Sequence, residues 1–426
     1  MVYYKRLCDM VLARQLRSSG AVLIEGPKWC GKTSTGLQLA KSVAFLQDPD
    51  RRKSYEQMAD TKPSLLLQGE TPRLLDEWQT LPVLWDAVRF AVDQRGGMGQ
   101  FILTGSATPL DDLLQQTEIQ HSGTGRIARM RMRPMSLWES QESSGKVSLK
   151  ALFDGTVEDE LYFENKITIE HLAYLLCRGG WPGALALDKN DALDVAFNYV
   201  EEVINLDVHR VDGTEKNPDR VRQVLRSYAR NVSTMTSATT IMLDVKANDV
   251  SISDKTLNNY LTALRRLFVV EDVKAWQPSL RSKTAIRTSD KRHFADPSIA
   301  TALLGLTPES VLEDFNLFGY LFEDLCVRDL RAYVQPLRGD VFHYHDQSDL
   351  ESDAVIRLYD GRWALVEVKT GSKQIEAAAE NLVKLTSTVD TDKIGKPSFL
   401  MVLTAGQFAY RRKDGVYIVP IGCLKD

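Results

Sequence analysis

The sequence lacks the features of an exported or membrane-spanning protein. Its 426 residues contain no apolar run approaching the ~20 residues of a membrane helix, and the first residues lack the apolar core of a signal peptide. The five cysteines are scattered and show neither disulfide nor metal-ligand spacing. We therefore expect a cytoplasmic protein with no membrane association.

Positive charge is not in excess, and no low-complexity linker interrupts the chain. A formal net charge of −4 argues against nucleic-acid binding over the whole surface, although it leaves room for local basic patches. Hydrophobic residues at 43% and charged residues at 26% are ordinary for folded protein. One hydrophobic core stops growing below this chain length, so we expect two to four domains.

What the sequence does contain is a glycine-rich loop between a predicted strand and a predicted helix. Residues 26–33 match the P-loop pattern in full and follow the apolar run Ala21–Ile24. Such a loop wraps backbone N–H groups around phosphates, its lysine neutralises their charge, and its threonine ligates Mg²⁺. We therefore predict that ATP and Mg²⁺ are bound, with nucleotide contacts from Gly26, Pro27, Lys28, Trp29, Cys30, Gly31, Lys32, Thr33 and Ser34. The plain alternative is a chance match in a tight turn.

Two later segments are predicted to complete this site. Asp76 and Glu77 end an apolar run, where a nucleotide enzyme holds its Mg²⁺ and polarises the attacking water. Asp76 would bind the metal together with Thr33, and Glu77 would polarise the attacking water. Thr104 ends the next buried run and would reach the γ-phosphate together with Lys32. The alternatives are a solvated acidic turn and an ordinary strand-end turn.

An arginine-rich segment follows, at positions 126, 129, 131 and 133. Residues 129–133 alternate as a half-buried strand would, so most of these arginines are expected on a solvated face. Arg126 is our candidate for stabilising developing phosphate charge, either within one chain or across a subunit interface. Arg178, before two glycines, is a second candidate. Oligomerisation is left open.

Several of these motifs, in this order, resemble those of a bacterial and archaeal group of AAA-type ATPases with a C-terminal domain of unknown function. The matching segments lie at residues 26–33, 74–79, 103–106, 125–126, 133–137, 178–182 and 319–323. The resemblance implies an ATPase core with an extra sheet strand and a catalytic glutamate beside the magnesium aspartate. It also implies a winged-helix middle and a C-terminal fold similar to PD-(D/E)xK nucleases.

The C-terminal segment carries a second candidate site. Glu367 and Lys369 alternate along one predicted strand and so project to the same side, and Asp353 heads the strand before it. Asp353 and Glu367 are candidate metal ligands, with Lys369 stabilising charge at a phosphodiester and Glu323 completing the cluster from a preceding helix. The alternative is a salt-bridged strand pair on an inactive fold.

We predict an α/β protein with a P-loop parallel-sheet ATPase core and three further domains. The predicted boundaries are 1–145 for the core, 146–215 for a helical lid, 216–305 for a winged helix and 306–426 for the nuclease-like domain. Strands are expected to be absent from 151–210. Five basic residues are candidates for DNA contact, namely Arg281, Lys283, Arg287, Lys291 and Arg292, and the alternative is a solvated hairpin or a domain-docking surface.

Two hypotheses of function follow from these motifs. In the first, an ATP-driven protein acts on DNA, and Asp353, Glu367 and Lys369 cleave it. In the second, the chain is a nucleotide-dependent switch whose C-terminal domain only binds protein or DNA.

Overall fold

A computed structural model describes residues 2–106, 125–157, 161–208, 216–247, 252–278 and 286–426. The chain divides into two compact units. The first unit comprises residues 1–134, 203–216 and 259–269, and the second comprises 135–202, 217–258 and 270–426. Among the described residues, no helix is both long enough and apolar enough to cross a membrane.

The first unit is built on a parallel sheet of five strands, in the order β2-β3-β4-β1-β5. The strands are β1 (Ala21–Glu25), β2 (Ser42–Phe45), β3 (Arg73–Asp76), β4 (Phe101–Gly105) and β5 (Ile127–Arg131). The helices are α1 (Leu7–Ser18), α2 (Lys32–Leu39), α3 (Arg52–Thr61) and α4 (Leu84–Arg95). Strand β4 lies between β1 and β3, so the P-loop strand and the strand that ends at Asp76 are separated by one strand, as the resemblance implied.

Alternating side chains bury both faces of this sheet. Val22 and Ile24 of β1 join a core with α1, whereas Ala21 and Leu23 join the opposite core with α4. A parallel strand buried on both faces reads as a continuous apolar run, and for this reason β1 was recognisable in the sequence. Because all five strands are parallel, their carboxyl ends meet at one edge of the sheet.

The second unit contains a mixed sheet of seven strands, in the order β7-β12-β13-β11-β10-β9-β8. Its strands are β7 (Tyr162–Glu164), β8 (Gly339–His345), β9 (Glu351–Leu358), β10 (Trp363–Lys369), β11 (Leu400–Thr404), β12 (Phe408–Arg411) and β13 (Tyr417–Pro420). Strands β8, β9 and β10 form an antiparallel meander, and β10 pairs in parallel with β11. A separate parallel pair joins β6 (Val147–Ser148) to β14 (Leu424–Lys425).

The helices after β5 belong mostly to the second unit. They are α5 (Leu149–Asp154), α6 (Ile169–Arg178), α7 (Lys189–Glu202), α8 (Pro218–Arg230), α9 (Ala238–Lys246), α10 (Asp254–Arg266), α11 (Pro297–Leu304), α12 (Pro308–Glu313), α13 (Phe315–Val334), α14 (Ile375–Thr388) and α15 (Thr391–Ile394). Helix α10, whose residues from 259 onward belong to the first unit, begins at Asp254, and the hydroxyl of the preceding Ser253 accepts the N–H of Thr256. The C-terminal segment runs from α13 through strands β8, β9 and β10 to α14 and β11.

One expectation about secondary structure was wrong. Residues 151–210 were predicted to lack strands, yet Tyr162–Glu164 forms β7 and pairs with β12 at the edge of the seven-stranded sheet. Tyr162 stacks on Phe408 with ring centroids 5.5 Å apart. This three-residue strand exists only through pairing with residues about 240 positions later, so local periodicity does not reveal it.

Candidate functional site

The P-loop adopts a conformation that its two glycines permit. Gly31 has a φ of 102°, in the region that side chains with a Cβ rarely adopt. A Cβ on Gly26 would lie 2.1 Å from the carbonyl oxygen of Met132, so only glycine fits there. Lys32 is buried, and its Nζ donates to the carbonyl oxygens of Gly26 at 3.0 Å and Pro27 at 2.8 Å. The loop therefore curls around the ammonium group that is predicted to meet the phosphates.

Hydroxyls from two elements meet one carboxylate beside the loop. The Thr33 hydroxyl at the start of α2 donates to Asp76 Oδ1 at 2.7 Å. The Thr104 hydroxyl of β4 donates to the same oxygen, also at 2.7 Å, and accepts the backbone N–H of Glu77 at 3.0 Å. The structure thus brings together Thr33, Asp76, Glu77 and Thr104, which the sequence had grouped from three separate segments.

Glu77 is held in a defined orientation at the end of β3. Its backbone φ of 56° is left-handed, and the adjacent Thr104 hydroxyl accepts its N–H group. The amide of Gln79 donates to Glu77 Oε2 at 2.5 Å, and the hydroxyl of Ser106 lies 3.5 Å from the same atom. A non-glycine residue in this conformation carries a strain cost that functional sites often tolerate. Sequence reasoning missed Gln79, although it stands two residues after Glu77.

Two long-range contacts of the P-loop were not predicted. Lys28 Nζ lies 2.5 Å from Oδ1 of Asp207, a residue that closes a π-helical turn at Val203–Asp207. Arg6 donates to the carbonyl oxygens of Cys30 at 2.9 Å and Arg133 at 2.8 Å. Asp207 is 179 residues from Lys28 along the chain. No local pattern in the sequence indicates either contact.

The second unit holds a cleft of about 440 Å³ that contains the predicted C-terminal site. Glu323 of α13, Asp353 of β9 and Lys369 of β10 line it, together with Lys291, which lies outside the regular elements. Lys291 Nζ lies 2.5 Å from Glu323 Oε1 and 3.0 Å from Asp353 Oδ1. Lys369 Nζ lies 3.5 Å from Asp353 Oδ2 and 2.8 Å from Glu367 Oε2. The structure therefore interleaves two ammonium groups with three carboxyl groups.

Backbone and amide groups fix two of these carboxyl groups further. Asp353 Oδ2 accepts the N–H of Val368 at 2.9 Å. Glu367 Oε1 accepts the side-chain amide of Asn381 at 2.6 Å, and that amide also donates to the carbonyl oxygen of Glu351. Asn381 lies on α14 and was not among the predicted site residues.

Burial and charge set the protonation of this cluster. Burial raises the pKa of Glu323 to about 8, which the charge of Lys291 only partly opposes. Burial also raises the pKa of Glu367 to about 8, and the Asp353 carboxylate adds to the effect. Burial acts in the same direction on Asp353, but the two ammonium groups outweigh it and hold the pKa of Asp353 below its usual value. Asp353 is therefore the ionised carboxylate at neutral pH.

Comparisons with known proteins agree with the nucleotide site. A family model described as an AAA domain matches residues 18–141. The chain contains an AAA-type P-loop ATPase domain. ATP binding and hydrolysis are the activities of such a domain, and the matched range includes the P-loop, Asp76, Glu77 and Thr104.

Further matches are to domains of unknown function, to uncharacterized proteins and to a solved ATPase structure. Two domains of unknown function, DUF8612 and DUF4143, match residues 169–310 and 318–424. The uncharacterized proteins Mb2031c of Mycobacterium bovis and Rv2008c of Mycobacterium tuberculosis are each 24% identical over 375 residues, covering 87% of this chain and 75% of theirs. A Walker-type ATPase of Pyrococcus abyssi, PABY2304, is 16% identical with a TM-score of 0.45, covering 71% of this chain and 96% of its own.

The donor set of the ATPase domain fits a magnesium ion. The Thr33 hydroxyl and the Asp76 carboxylate converge from α2 and β3, and hard oxygen ligands of this kind suit Mg²⁺. A bound Mg²⁺ would neutralise charge on the phosphate oxygens. Thr33 and Asp76 would hold it, while Thr104 orients the Asp76 carboxylate and Glu77 lies adjacent.

Arg126 does not lie near the P-loop of the ATPase domain. It precedes β5, and its carbonyl oxygen accepts the N–H of Ala21 at the start of β1, whereas the P-loop follows the end of β1. Five residues of strand, or about 16 Å, separate the two edges of the sheet. The Arg126 side chain pairs with Asp93 at 2.9 Å. The predicted role within one chain has no support in this arrangement, and a role across a subunit interface stays a prediction.

The other arginine candidates also have partners. Residues 129–133 alternate as predicted, with Met130 and Met132 buried. Arg129 pairs with Glu25 at 3.2 Å. Arg178 belongs to the second unit, where it is buried and its guanidinium lies 2.5 Å from Glu142.

The described basic residues of the segment predicted to contact DNA are paired with carboxyl groups. Lys291 is paired with Glu323 and Asp353, and Arg292 is buried with its guanidinium 2.9 Å from Asp272. Arg287 pairs with Asp349 at 3.1 Å. Arg281 and Lys283 lie outside the described residues. Carboxyl groups hold both Lys291 and Arg292, so the predicted contact of these two residues with DNA gains no support here.

The C-terminal carboxyl groups do not fit a metal ion as they stand. Within the described part of the chain, no cluster of three or more His, Cys, Asp or Glu side chains is placed to hold one. Ammonium groups occupy the space between Glu323 and Asp353 and between Asp353 and Glu367. The tentative assignment of Asp353 and Glu367 as metal ligands gains no support, and we derive no metal-dependent step at this cleft.

Proposed function

We propose that this protein is a Mg²⁺-dependent ATPase whose nucleotide state controls DNA binding by its nuclease-like C-terminal domain. Hydrolysis would use Glu77 as the group that polarises water, Lys32 as the phosphate-neutralising cation, and Thr33 with Asp76 as the magnesium ligands. The contacts of Asp76 with Thr33 and Thr104, and of Glu77 with Gln79, support this division of roles.

The observation that carries the control step is the ion pair between Lys28 and Asp207. Lys28 belongs to the P-loop, so bound nucleotide competes with Asp207 for its ammonium group. Asp207 lies in residues 203–216, and on both sides of that segment the chain continues directly into the second unit. Nucleotide binding thus acts on a segment whose two ends are covalently part of the unit that contains the cleft.

A DNA ligand is supported by the order of elements in the middle of the chain. Helices α8, α9 and α10 precede antiparallel bridges that pair Val270 with Phe294 and Val273 with Lys291. Three helices followed by a hairpin is the order of a winged helix, a fold that commonly places one helix against a DNA groove.

A second candidate is an ATP-regulated nuclease, favoured by the contacts of Lys369 with Asp353, which lines the cleft, and with Glu367. The two functions separate in one experiment. Supercoiled plasmid is incubated with wild-type protein, Asp353→Ala and Lys32→Ala, in Mg²⁺ or Mn²⁺, with and without ATP, and both nicking and plasmid retention are measured.

We expect the wild type to retain DNA to an extent that changes with ATP. Lys32→Ala should lose this response to ATP, and no reaction should show nicking. Metal-dependent nicking that Asp353→Ala abolishes would establish the nuclease instead. DNA retention that is absent, or identical with and without ATP, would overturn the proposed control of DNA binding.

A further inference from the structure

We propose that the ammonium group of Lys291 occupies the position that a divalent metal ion occupies in a metal-dependent nuclease. The cleft of the second unit therefore holds no divalent ion while Lys291 is present. The proposal rests on the assignment, made above, of Asp353, Glu367 and Lys369 to the C-terminal site. It adds Lys291, which lies more than sixty positions before Asp353, and assigns to it the role of the bridging cation.

The position of the Lys291 ammonium group is that of a bridging cation. It lies 2.5 Å from an oxygen of Glu323 on α13 and 3.0 Å from an oxygen of Asp353 on β9. A divalent ion bound by carboxylates also sits between oxygens from different elements, at about 2.0–2.6 Å. An ion and this ammonium group therefore compete for the same oxygens.

Charge balance supports the same conclusion. Lys369 bridges Asp353 and Glu367 from the other side, so the two ammonium groups together supply two positive charges. One divalent ion would supply the same charge. Asp353 is the ionised carboxyl group of the cluster at neutral pH, so with both lysines in place no unbalanced negative charge remains to attract a further cation.

Lys291 is fixed in place. Its side chain is only 12% exposed, beside Glu323 at 11% and Asp353 at 7%. Its backbone exchanges two hydrogen bonds with Val273, at 2.8 and 2.9 Å. Lysine is almost never buried without a partner, so the carboxyl groups and the backbone pairing together account for its position.

The experiment measures Mn²⁺ binding directly, with no nucleotide and no DNA present. All proteins carry Asp76→Asn, which removes the carboxylate predicted to hold metal in the ATPase domain. On this background we compare the otherwise unchanged chain, Lys291→Met, Lys291→Met with Asp353→Asn, and Asp353→Asn alone. Arg287→Met is the matched control, because it removes one positive charge of the same segment from an exposed pair with Asp349. Binding is followed by the loss of the free Mn²⁺ electron paramagnetic resonance signal.

We expect no stoichiometric Mn²⁺ binding in the unchanged chain or in Arg287→Met. Lys291→Met should bind one equivalent at least ten-fold more tightly, and the added Asp353→Asn should abolish this gain. Far-UV circular dichroism establishes that each variant is folded.

Two results would overturn the proposal. One is a folded Lys291→Met that binds Mn²⁺ no better than the unchanged chain. The other is an equivalent of Mn²⁺ in the unchanged chain that Asp353→Asn removes, since metal and Lys291 would then coexist. The second comparison does not require Lys291→Met to fold. Failure of nucleotide control would leave all of these titrations unaffected, so the two proposals fail separately.

Discussion

At the residue scale, Glu77 has the contacts expected of a catalytic base in the ATPase domain. Gln79 and Ser106 orient its carboxylate, and its backbone N–H donates to Thr104. We expect Glu77→Gln to reduce ATP turnover roughly 10²- to 10⁴-fold while ATP affinity is retained, because the amide keeps the shape of the side chain and cannot accept a proton. Phosphate release and equilibrium nucleotide binding measure the two effects.

The matched control is Glu70→Gln, an exposed glutamate of the same unit, which should leave turnover unchanged. Turnover of Glu77→Gln equal to that of the wild type would assign the catalytic base to another residue.

A second prediction at this scale concerns Arg126. Because Arg126 lies at the edge of the sheet opposite the P-loop, we expect Arg126→Ala to leave turnover unchanged in protein dilute enough to be monomeric. Phosphate release is measured across a dilution series whose oligomeric state is followed by sedimentation. A loss of turnover confined to self-associated protein would support a role across an interface. A loss in the monomer would contradict the placement of Arg126.

At the scale of elements, Asp272 links α8 to the segment that pairs with residues 291–294. It accepts a hydrogen bond from Tyr228 of α8 and pairs with Arg292 at 2.9 Å. Burial raises the pKa of Asp272 to about 6, and the charge of Arg292 opposes this only in part. Between about pH 4 and 6 the folded state therefore binds more protons at this residue than the unfolded state does. The contribution of Asp272 to the free energy of unfolding falls as pH rises through this window.

Asp272→Asn should remove this dependence, because an amide does not titrate. We expect the melting temperature of the variant, relative to wild type, to rise by about 5 °C between pH 4.5 and pH 7, since the shift is worth on the order of 2–3 kcal/mol. Differential scanning fluorimetry at a series of pH values measures this, with the exposed Glu380→Gln of α14 as the control. A constant difference across the series would show that the pKa of Asp272 is not raised.

The elements also show what the sequence can and cannot predict. Strands β1, β3 and β4 were predictable because a strand buried on both faces is a continuous apolar run, and the P-loop was predictable because its chemistry is contained within eight residues. The grouping of Thr33 with Asp76 and Thr104 followed because carboxyl ends of parallel strands share one edge. The contacts of Lys291 with Glu323, of Asp207 with Lys28, and of β7 with β12 join residues 32 to about 240 positions apart. No periodicity or spacing encodes them, and they depend on tertiary packing.

At the scale of the whole molecule, the chain passes between its two units five times, because residues 203–216 and 259–269 return to the first unit. Asp207 lies in the first of these returning segments, and its side chain is only 6% exposed while it holds Lys28. A group that binds the Lys28 ammonium would leave the buried Asp207 carboxylate without this partner, so the contact is sensitive to competition for Lys28. We expect ATP to be such a group, because Lys28 belongs to the loop that is predicted to surround its phosphates.

If the Lys28–Asp207 pair transmits nucleotide state, Asp207→Asn should retain ATP binding and abolish the effect of ATP on DNA retention. The amide keeps the size of the side chain and removes the charge for which nucleotide competes. Glu201→Gln is the matched control, because Glu201 lies six residues earlier and pairs at 2.7 Å with Arg222 through groups that are exposed. Fluorescent ATP binding and plasmid retention are measured for both variants. An ATP response that survives in Asp207→Asn, or one that is lost equally in Glu201→Gln, would place the coupling elsewhere in the chain.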